Sequence, residues 1–136
     1  MSGHRKVFVK WKDVEKYIDE LCLELERRNF RPTGVFGIPR GGLIFAVMLS
    51  HRLNIPMLAS PMGNCIVVDD IADSGRSLVH YRQNDTMFLD TLFITTMYYS
   101  DRSMVKPDFY SKTKKSQGDW IVFPWENVET EGKMEP

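Results

Sequence analysis

The fold of this chain is decided by the stretch Cys65-Ile66-Val67-Val68-Asp69-Asp70-Ile71-Ala72-Asp73-Ser74-Gly75-Arg76-Ser77-Leu78. It begins with a continuous run of apolar, mostly β-branched residues, which is typical of a central parallel strand covered on both faces. Two adjacent acids follow in Asp69–Ser74, which is predicted to be a loop. A helix is then predicted over Gly75–Gln83. A buried strand that leads through a polar turn into a helix indicates an α/β sheet.

Outward from this stretch, predicted helices and strands alternate. Asp13 is predicted to cap a helix whose apolar residues recur at helical spacing as far as Leu25. The other predicted elements are strands over Gly34–Ile38, Met87–Met97 and Trp120–Phe123, a turn over Pro39–Gly42, a buried helix over Leu43–Leu53 and a polar loop over Ser100–Asp119. This order predicts one α/β domain over residues 1–126, a mostly parallel, Rossmann-like sheet flanked by helices. Residues 127–136 are predicted to be a polar, flexible tail.

The composition excludes several classes of protein. The 136 residues carry 18 Lys+Arg and 18 Asp+Glu, and this balance argues against a partner that is a nucleic-acid polymer. Cys22 and Cys65 form no CxxC pair, so two reduced thiols are expected. Neither a signal peptide nor a membrane-spanning run is visible. We therefore expect a cytoplasmic protein with no membrane partner.

The segment from Val67 to Ser77 combines two kinds of hydrogen-bonding group. The carboxylates of Asp69 and Asp70 only accept hydrogen bonds, and a pair of them suits a vicinal diol such as the 2′ and 3′ hydroxyls of ribose. The turn over residues 74–77 leads into a helix, and the free N–H groups of a helix N-terminus form a cradle for phosphate. The segment therefore predicts a site for a phosphorylated pentose. The alternative is a solvated acidic loop and a helix capped by Asp73.

Three stretches of the chain resemble a known family. Val67–Ser77 resembles the phosphoribosyl pyrophosphate (PRPP) signature of the type I phosphoribosyltransferases. Gly34–Leu43 resembles the pyrophosphate-binding loop of their xanthine–guanine branch. Asp119–Glu126 resembles the end of that branch, where an aromatic–aliphatic strand lies over the purine. The resemblance covers most of residues 7–126, and it implies the family's fold and a homodimer or higher homo-oligomer.

The resemblance implies a glycosyltransferase of nucleotide metabolism and purine salvage. It would transfer the 5-phosphoribosyl group from PRPP to a nucleobase, with a purine favoured, and release pyrophosphate and a nucleoside 5′-monophosphate. The implied cofactor is Mg²⁺, with Asp70 as its protein ligand, and the implied catalytic base or acid is Asp73. The implied binding residues are Arg40 and Gly41 for pyrophosphate, Asp69 and Asp70 for ribose, Ile71, Ala72 and Asp73 beyond them, Ser74, Gly75, Arg76 and Ser77 for the 5′-phosphate, and Trp120 and Ile121 for the base. Ordinary core packing is the alternative for Trp120 and Trp125.

Two departures from the family pattern bear on activity. Family members carry a long mobile loop before the acidic strand, whereas only Ile55–Asn64 is available here, so the lid is shortened. The purine enzymes place a lysine after the strand that follows the signature, and Thr95–Asp101 contains none. Lys106 or the cluster Lys112, Lys114 and Lys115 are candidate substitutes, and a solvated loop is the alternative for that cluster. A binding module that retains the PRPP or nucleotide pocket without turnover is therefore a second hypothesis.

Overall fold

The computed structural model describes residues 5–84 and 92–126. Its elements are β1 (Arg5–Phe8), α1 (Trp11–Arg27), β2 (Gly34–Gly37), α2 (Gly41–Leu53), β3 (Cys65–Ala72), α3 (Arg76–Asn84), β4 (Phe93–Tyr99), β5 (Phe109–Thr113) and β6 (Asp119–Val122). The predicted tail over residues 127–136 and the first part of the predicted strand Met87–Met97, residues 87–91, lie outside the described residues. None of the helices described is both long enough and apolar enough to cross a membrane.

The main sheet is parallel throughout and has the order β2-β3-β4-β5. Beyond β2, Val35 forms a further parallel bridge with Met57. The chain therefore leaves β2 through α2 toward one edge of the sheet and then returns to β3 on the other side of β2. This reversal makes the gap between β2 and β3 the topological switch point of the sheet. The predicted mostly parallel sheet is confirmed.

Helices cover both faces of the main sheet. Ile66 and Val68 of β3 belong to the core that α1 and α2 form on one face. Val67 belongs to the core on the other face, where Leu78 of α3 packs. All three valine and isoleucine side chains are fully buried, as expected for a strand whose apolar run is unbroken. The continuous apolar pattern therefore correctly indicated a strand covered on both sides.

The beginnings of two helices differ from the sequence prediction. Asp13 is not the cap of α1, because the helix begins at Trp11 and the Asp13 carboxylate accepts a hydrogen bond from the Lys10 N–H at 2.9 Å. Helix α2 begins at Gly41, so that Gly41 and Gly42 are helical and not part of the predicted turn. The Gly42 N–H already donates to the Ile38 carbonyl at 2.8 Å, which closes the first turn of the helix.

The acid pair lies in a strand and not in the predicted loop. Strand β3 continues to Ala72 because its backbone pairs with β4 beyond the apolar run, with Asp69 opposite Thr96 and Ala72 opposite Tyr99. The predicted polar loop Ser100–Asp119 was also wrong in part, since it contains β5. That strand lies at the edge of the described sheet, where one side of each residue is open to solvent and a polar sequence is tolerated.

A separate two-stranded sheet is formed by β1 and β6, which are parallel. Strand β1 was not predicted from the sequence, because four residues with mostly exposed side chains carry little apolar signal. The Arg5 guanidinium donates to both carboxylate oxygens of Asp119, at 3.3 and 3.0 Å, and so joins the first strand to the last. The predicted last strand is confirmed, and it begins one residue earlier, at Asp119.

Candidate functional site

The candidate site lies at the switch point, where β2 and β3 end side by side. Gly37, the last residue of β2, pairs with Val68, and the Ile38 N–H donates to the Val68 carbonyl at 2.9 Å. From this point β2 continues into the turn that contains Arg40, and β3 continues into the acid pair. Ligands of open parallel sheets bind in such a crevice at the carboxyl ends of the strands. The turn that contains Arg40 and the acid pair therefore share one edge of the sheet.

Two glycines allow the N-terminus of α2 to approach β3 closely. A Cβ at position 41 would lie 2.1 Å from Asp70 Oδ2, and a Cβ at position 42 would lie 2.2 Å from the Val68 carbonyl oxygen. Either contact is far shorter than van der Waals distance, so a side chain at either position requires its neighbour to move. Gly41 and Asp70 are consequently in direct contact, while the Arg40 side chain is exposed to solvent.

The two acids of β3 are only partly exposed. Asp69 Oδ1 accepts a hydrogen bond from the Asp70 N–H at 2.8 Å, and Asp70 Oδ1 accepts one from the Ile71 N–H at 2.7 Å. Burial raises the pKa of the Asp69 carboxyl well above its ordinary value, and the adjacent charge of Asp70 raises it further. Hydroxyl donors or a cation at this point would stabilise the charged pair, which is the chemistry expected of a ribose and metal site.

The turn predicted to hold phosphate is supported by residues 100–105. Gly75 has a φ of +82°, and a Cβ there would lie 2.4 Å from Ser103 Oγ, so this position requires glycine. The Met104 N–H donates to the Ser74 carbonyl at 2.9 Å, and Ser74 Oγ accepts from the Arg76 N–H at 3.3 Å. The side chains of Arg76 and Ser77 are exposed at the start of α3. Residues 100–105 thus hold the backbone of the turn, while the side chains at the start of α3 are open to solvent.

Asp73 is held by two cations. Arg102 Nε donates to its Oδ1 at 3.0 Å, and Lys114 Nζ donates to its Oδ2 at 3.2 Å. Partial burial favours a higher pKa for Asp73, but the hydrogen bonds from Arg102 and then Lys114 outweigh it and lower the pKa below the ordinary value. Arg102 was not predicted from the sequence, because it lies in a polar segment without a motif. Lys114 was one of the candidate substitutes, and among those candidates it is the residue for which a contact with Asp73 is seen.

The aromatic residues near the C-terminus have different surroundings. Trp125 packs on Phe45 and Phe123, with ring centroids 5.2 Å apart in both pairs, so core packing is its role. Trp120 and Ile121 are adjacent in β6, and their side chains therefore leave opposite faces of the strand. Ile121 lines a cleft of about 460 Å³ between β6 and the end of β5, and Lys114 lines it as well. The cleft thus contains one of the two predicted base-binding side chains.

The segment that replaces the family's mobile loop is joined to the sheet. Met57 pairs with Val35, the Leu58 N–H donates to the Val35 carbonyl at 2.8 Å, and the Thr33 N–H donates to the Asn64 carbonyl at 2.9 Å. Met57 and Leu58 therefore lie along the outer edge of β2, whereas Asn64 continues the ladder between β2 and β3.

The fold and the site together define a class of protein. A parallel sheet carries an acidic strand and a glycine turn at its switch point, opposite an Arg-Gly-Gly helix start, and this is the architecture of the type I phosphoribosyltransferases. Similarity to known proteins gives independent support.

No family model matches the sequence. The chain is 25% identical over 145 residues to the xanthine-guanine phosphoribosyltransferase of Chromohalobacter salexigens, with 90% of this chain and 85% of that protein covered. It is 29% identical over 153 residues to the protein of the same name from Cereibacter sphaeroides, with 90% and 89% covered. Among solved structures, the purine phosphoribosyltransferase from Pyrococcus horikoshii superposes with a TM-score of 0.77 at 28% identity, covering 90% of this chain and 95% of that one. The chain is thus similar, over most of its length, to type I phosphoribosyltransferases of the xanthine–guanine branch.

Proposed function

We propose that this protein transfers the 5-phosphoribosyl group of PRPP to a purine base and releases pyrophosphate. The observation that carries the proposal is the junction at the switch point, where Gly41 touches Asp70. This contact places a turn suited to pyrophosphate against a strand suited to ribose. Helix α3, whose start is suited to a phosphate, begins a few residues after that strand ends. A substrate with a pyrophosphate on the anomeric carbon and a phosphate on C5 of the same ribose matches this order of groups.

The roles of the donor-binding residues follow from their chemistry. Asp69 and Asp70 accept hydrogen bonds from the ribose hydroxyls. The backbone of Ile71 and Ala72 leads from them to the turn of Ser74, Gly75, Arg76 and Ser77, which binds the 5′-phosphate at the start of α3. Arg40 and Gly41 bind the pyrophosphate, because an exposed guanidinium is a fixed fork of donors that matches phosphate oxygens.

The acceptor end of the site is formed by other elements. Asp73 faces the ring of the base as proton acceptor, and Ile121, which lines the same cleft as Lys114, covers the base. The Trp120 side chain leaves the opposite face of β6. The lone pair of a ring nitrogen forms the bond to the anomeric carbon, and the bond from that carbon to pyrophosphate breaks with its electrons going to pyrophosphate. Positioning the two reactants and stabilising the charge on the leaving group supply most of the catalysis in this scheme.

The donor set fits Mg²⁺ as the cofactor. Within residues 5–84 and 92–126, no group of three or more His, Cys, Asp and Glu side chains is arranged to hold a metal by itself. Mg²⁺ keeps several waters and is bound through one or two carboxylates plus substrate phosphates, so a full protein cage is not required. Asp70, whose carboxylate lies against Gly41, is the residue that would hold it. The ion would neutralise pyrophosphate as it leaves.

A cellular compartment and an assembly are also proposed. We place the protein in the cytoplasm, because its two cysteines form no CxxC pair, and in purine salvage, because relatives that it resembles are named xanthine-guanine phosphoribosyltransferases. We also propose a homodimer as its assembly, since closed twofold oligomers are the commonest among soluble proteins. Size-exclusion chromatography with light scattering tests the assembly.

A panel of acceptor bases tests the activity. Protein, PRPP and Mg²⁺ are combined with guanine, xanthine, hypoxanthine, adenine, uracil or orotate, and both pyrophosphate and nucleotide are measured. Formation of a purine nucleotide supports the proposal, and the double variant Asp69→Ala with Asp70→Ala is expected to abolish it. Firm binding of PRPP without release of pyrophosphate with any base would contradict the proposal and favour a non-catalytic PRPP-binding module.

A further inference from the structure

A second cavity lies at the opposite end of the main sheet from the candidate site. It has a volume of about 590 Å³ and is formed where α1 and α2 end and the chain leads into β2. This volume falls within the range of about 300–1,000 Å³ that is usual for small-molecule sites. Helix α2 begins at Gly41, beside Asp70, and ends at Leu53, which lines the cavity. At about 1.5 Å per residue, the length of α2 separates the cavity from the acid pair by roughly 20 Å.

Both helices end at the cavity in a similar way. Asn29 follows α1 with a φ of +55°, and the Phe30 N–H donates to the Leu25 carbonyl at 2.9 Å. Asn54 follows α2 with a φ of +54°, and the Ile55 N–H donates into the last turn of α2 at 3.1 Å. A left-handed residue followed by such a bond is a Schellman-type end, which fixes the chain just beyond a helix. Backbone hydrogen bonds therefore hold the walls of the cavity, and its shape is formed before a ligand binds.

The inner wall of the cavity is apolar. Leu25 belongs to the buried core, and the partly buried side chains of Phe30, Leu53 and Ile55 pack against that core from the side of the cavity. An apolar group placed here removes their exposed surface from water, which is favourable in proportion to the area covered. The wall is therefore suited to a hydrocarbon or aromatic side chain.

The rim of the cavity carries two opposite charges that are not paired with each other. The other charged side chains at these helix ends form ion pairs, namely Asp19 with Arg52 and Glu24 with both Arg27 and Arg28. Within residues 5–84 and 92–126, by contrast, no hydrogen bond or ion pair is seen for the exposed side chains of Glu26 and Arg31. The C-terminal end of each helix dipole also favours a cation, on the side where Glu26 lies. The rim thus presents a carboxylate for a cation and a guanidinium for an anion.

We propose that this cavity is a binding site for an α-amino acid with an apolar side chain. Glu26 and the ends of the two helices bind the ammonium, Arg31 binds the carboxylate, and the side chain lies on the wall of Leu25 and Phe30. A free amino acid carries both charges and an apolar group on one carbon atom, whereas a fatty acid or an apolar amine uses only one charge of the rim. The inference does not rest on the transferase activity, because no residue of the cavity belongs to the candidate site.

Ligands that lack one group at a time test this recognition. Calorimetry on the full chain compares L-leucine and L-phenylalanine with isocaproate, which lacks the ammonium, isoamylamine, which lacks the carboxylate, and glycine, which lacks the side chain. We expect the two apolar amino acids to bind with dissociation constants of about 1 mM or below, and the three reduced ligands to bind about 10-fold more weakly or less. Absence of binding by both amino acids would refute the site, and equal affinity for isocaproate or isoamylamine would refute recognition by two charges.

Substitutions on the rim test the two charged contacts. Arg31→Gln and Glu26→Gln should each weaken L-leucine by roughly 10-fold, because each removes one charge-assisted hydrogen bond. Arg31→Gln should leave the affinity for isoamylamine unchanged, since that ligand has no carboxylate. Arg27→Gln is the matched control, because Arg27 is an exposed guanidinium at the same helix end that is already paired with Glu24. Unchanged affinity for L-leucine in both rim variants, or an equal loss in Arg27→Gln, would overturn the assignment.

The thiol of Cys22 reports where the amino acid binds. Cys22 lines the cavity, whereas Cys65 is fully buried, so labelling of the native protein by an aromatic disulfide reagent measures Cys22. Burial raises the pKa of the Cys22 thiol, and the labelling is therefore run at mildly alkaline pH. L-leucine should slow the labelling with a midpoint equal to its dissociation constant, and PRPP should not displace it. A labelling rate that is independent of L-leucine, or displacement of L-leucine by PRPP, would place the amino acid elsewhere and refute the site.

Discussion

Replacing Gly41 by alanine should separate activity from stability at this site. A Cβ at position 41 would lie 2.1 Å from Asp70 Oδ2 and 2.4 Å from Asp70 Cγ. Real Cβ atoms essentially never come within 3.0 Å of another atom in this way, so the Asp70 carboxylate has to move by about 1 Å. The backbone of β3 need not follow, because the atoms that clash belong to the end of a side chain.

The expected loss of activity follows from that displacement. Asp70 is the proposed contact for both ribose and Mg²⁺, and a misplacement of about 1 Å at a reacting site costs roughly 10²-fold in rate. Stability should change little. Alanine favours the helix over glycine by up to ~1 kcal/mol, and a strained Asp70 rotamer costs about 0.5–1.5 kcal/mol. The two effects oppose each other, so the free energy of unfolding should stay within about 1 kcal/mol of the wild type.

Gly42→Ala is the matched control in the same helix. Its Cβ would meet the Val68 carbonyl oxygen at 2.2 Å, which is backbone and has no side-chain rotation to relieve the contact. This variant should therefore lose stability by about 1–3 kcal/mol or more, as overpacked cores do. Urea unfolding and steady-state rates on both variants provide the comparison. If Gly41→Ala keeps its rate and its PRPP affinity within about threefold, the contact between Gly41 and Asp70 has no role in substrate binding.

Three further predictions concern single side chains. Asp73→Asn should lower turnover by roughly 10²-fold or more with PRPP affinity nearly unchanged, and an equal loss of both would make Asp73 a structural cap. Arg40→Ala should weaken PRPP and pyrophosphate far more than a nucleoside monophosphate, and a uniform loss across the three ligands in calorimetry would place Arg40 outside the site. Because the pKa of Asp73 is lowered by Arg102 and Lys114, its ion pairs stabilise the fold above the unfolded pKa of about 3.9, and that contribution is lost as the pH falls through the folded value. The free energy of unfolding should therefore fall more between about pH 6 and pH 3 in the wild type than in Asp73→Asn, and equal slopes would count against the ion pairs.

The sequence allowed the donor side of the site to be predicted because its determinants are local. The apolar run of β3, the acids after it and Gly75 lie within one short segment, and each residue type has a specific reason to be there. The extent of β3 was not predictable from this segment alone. Three of its last four residues are only partly buried, and they are strand because β4 supplies hydrogen-bond partners from 27 positions further along the chain, as for Asp69 and Thr96.

The edge elements were missed for a related reason. Strands β1 and β5 are short, largely polar and at most partly buried, so neither apolar alternation nor composition distinguishes them from loops. Each exists because a neighbouring strand is already in place, β6 for β1 and β4 for β5. Arg102 was missed for the same physical reason, since its partner Asp73 is 29 positions away and comes close only when residues 100–105 pack behind the turn over residues 74–77.

Strand register, and not composition, determines which lysine contacts Asp73. Lys112, Lys114 and Lys115 carry the same charge within four positions of the chain. The pairing of Thr113 with Tyr99 fixes which of them faces Asp73. Lys115 points to the opposite face from Lys114, because neighbouring residues of a strand alternate, and Lys112 lies further back along the strand, opposite Tyr98. A slip of one residue would turn Lys114 away and bring Thr113 or Lys115 toward the acid. The hydrogen bond from the Lys114 N–H to the Tyr99 carbonyl extends the ladder one residue past β5. It therefore determines that Lys114 is the lysine that contacts Asp73, the proposed proton acceptor.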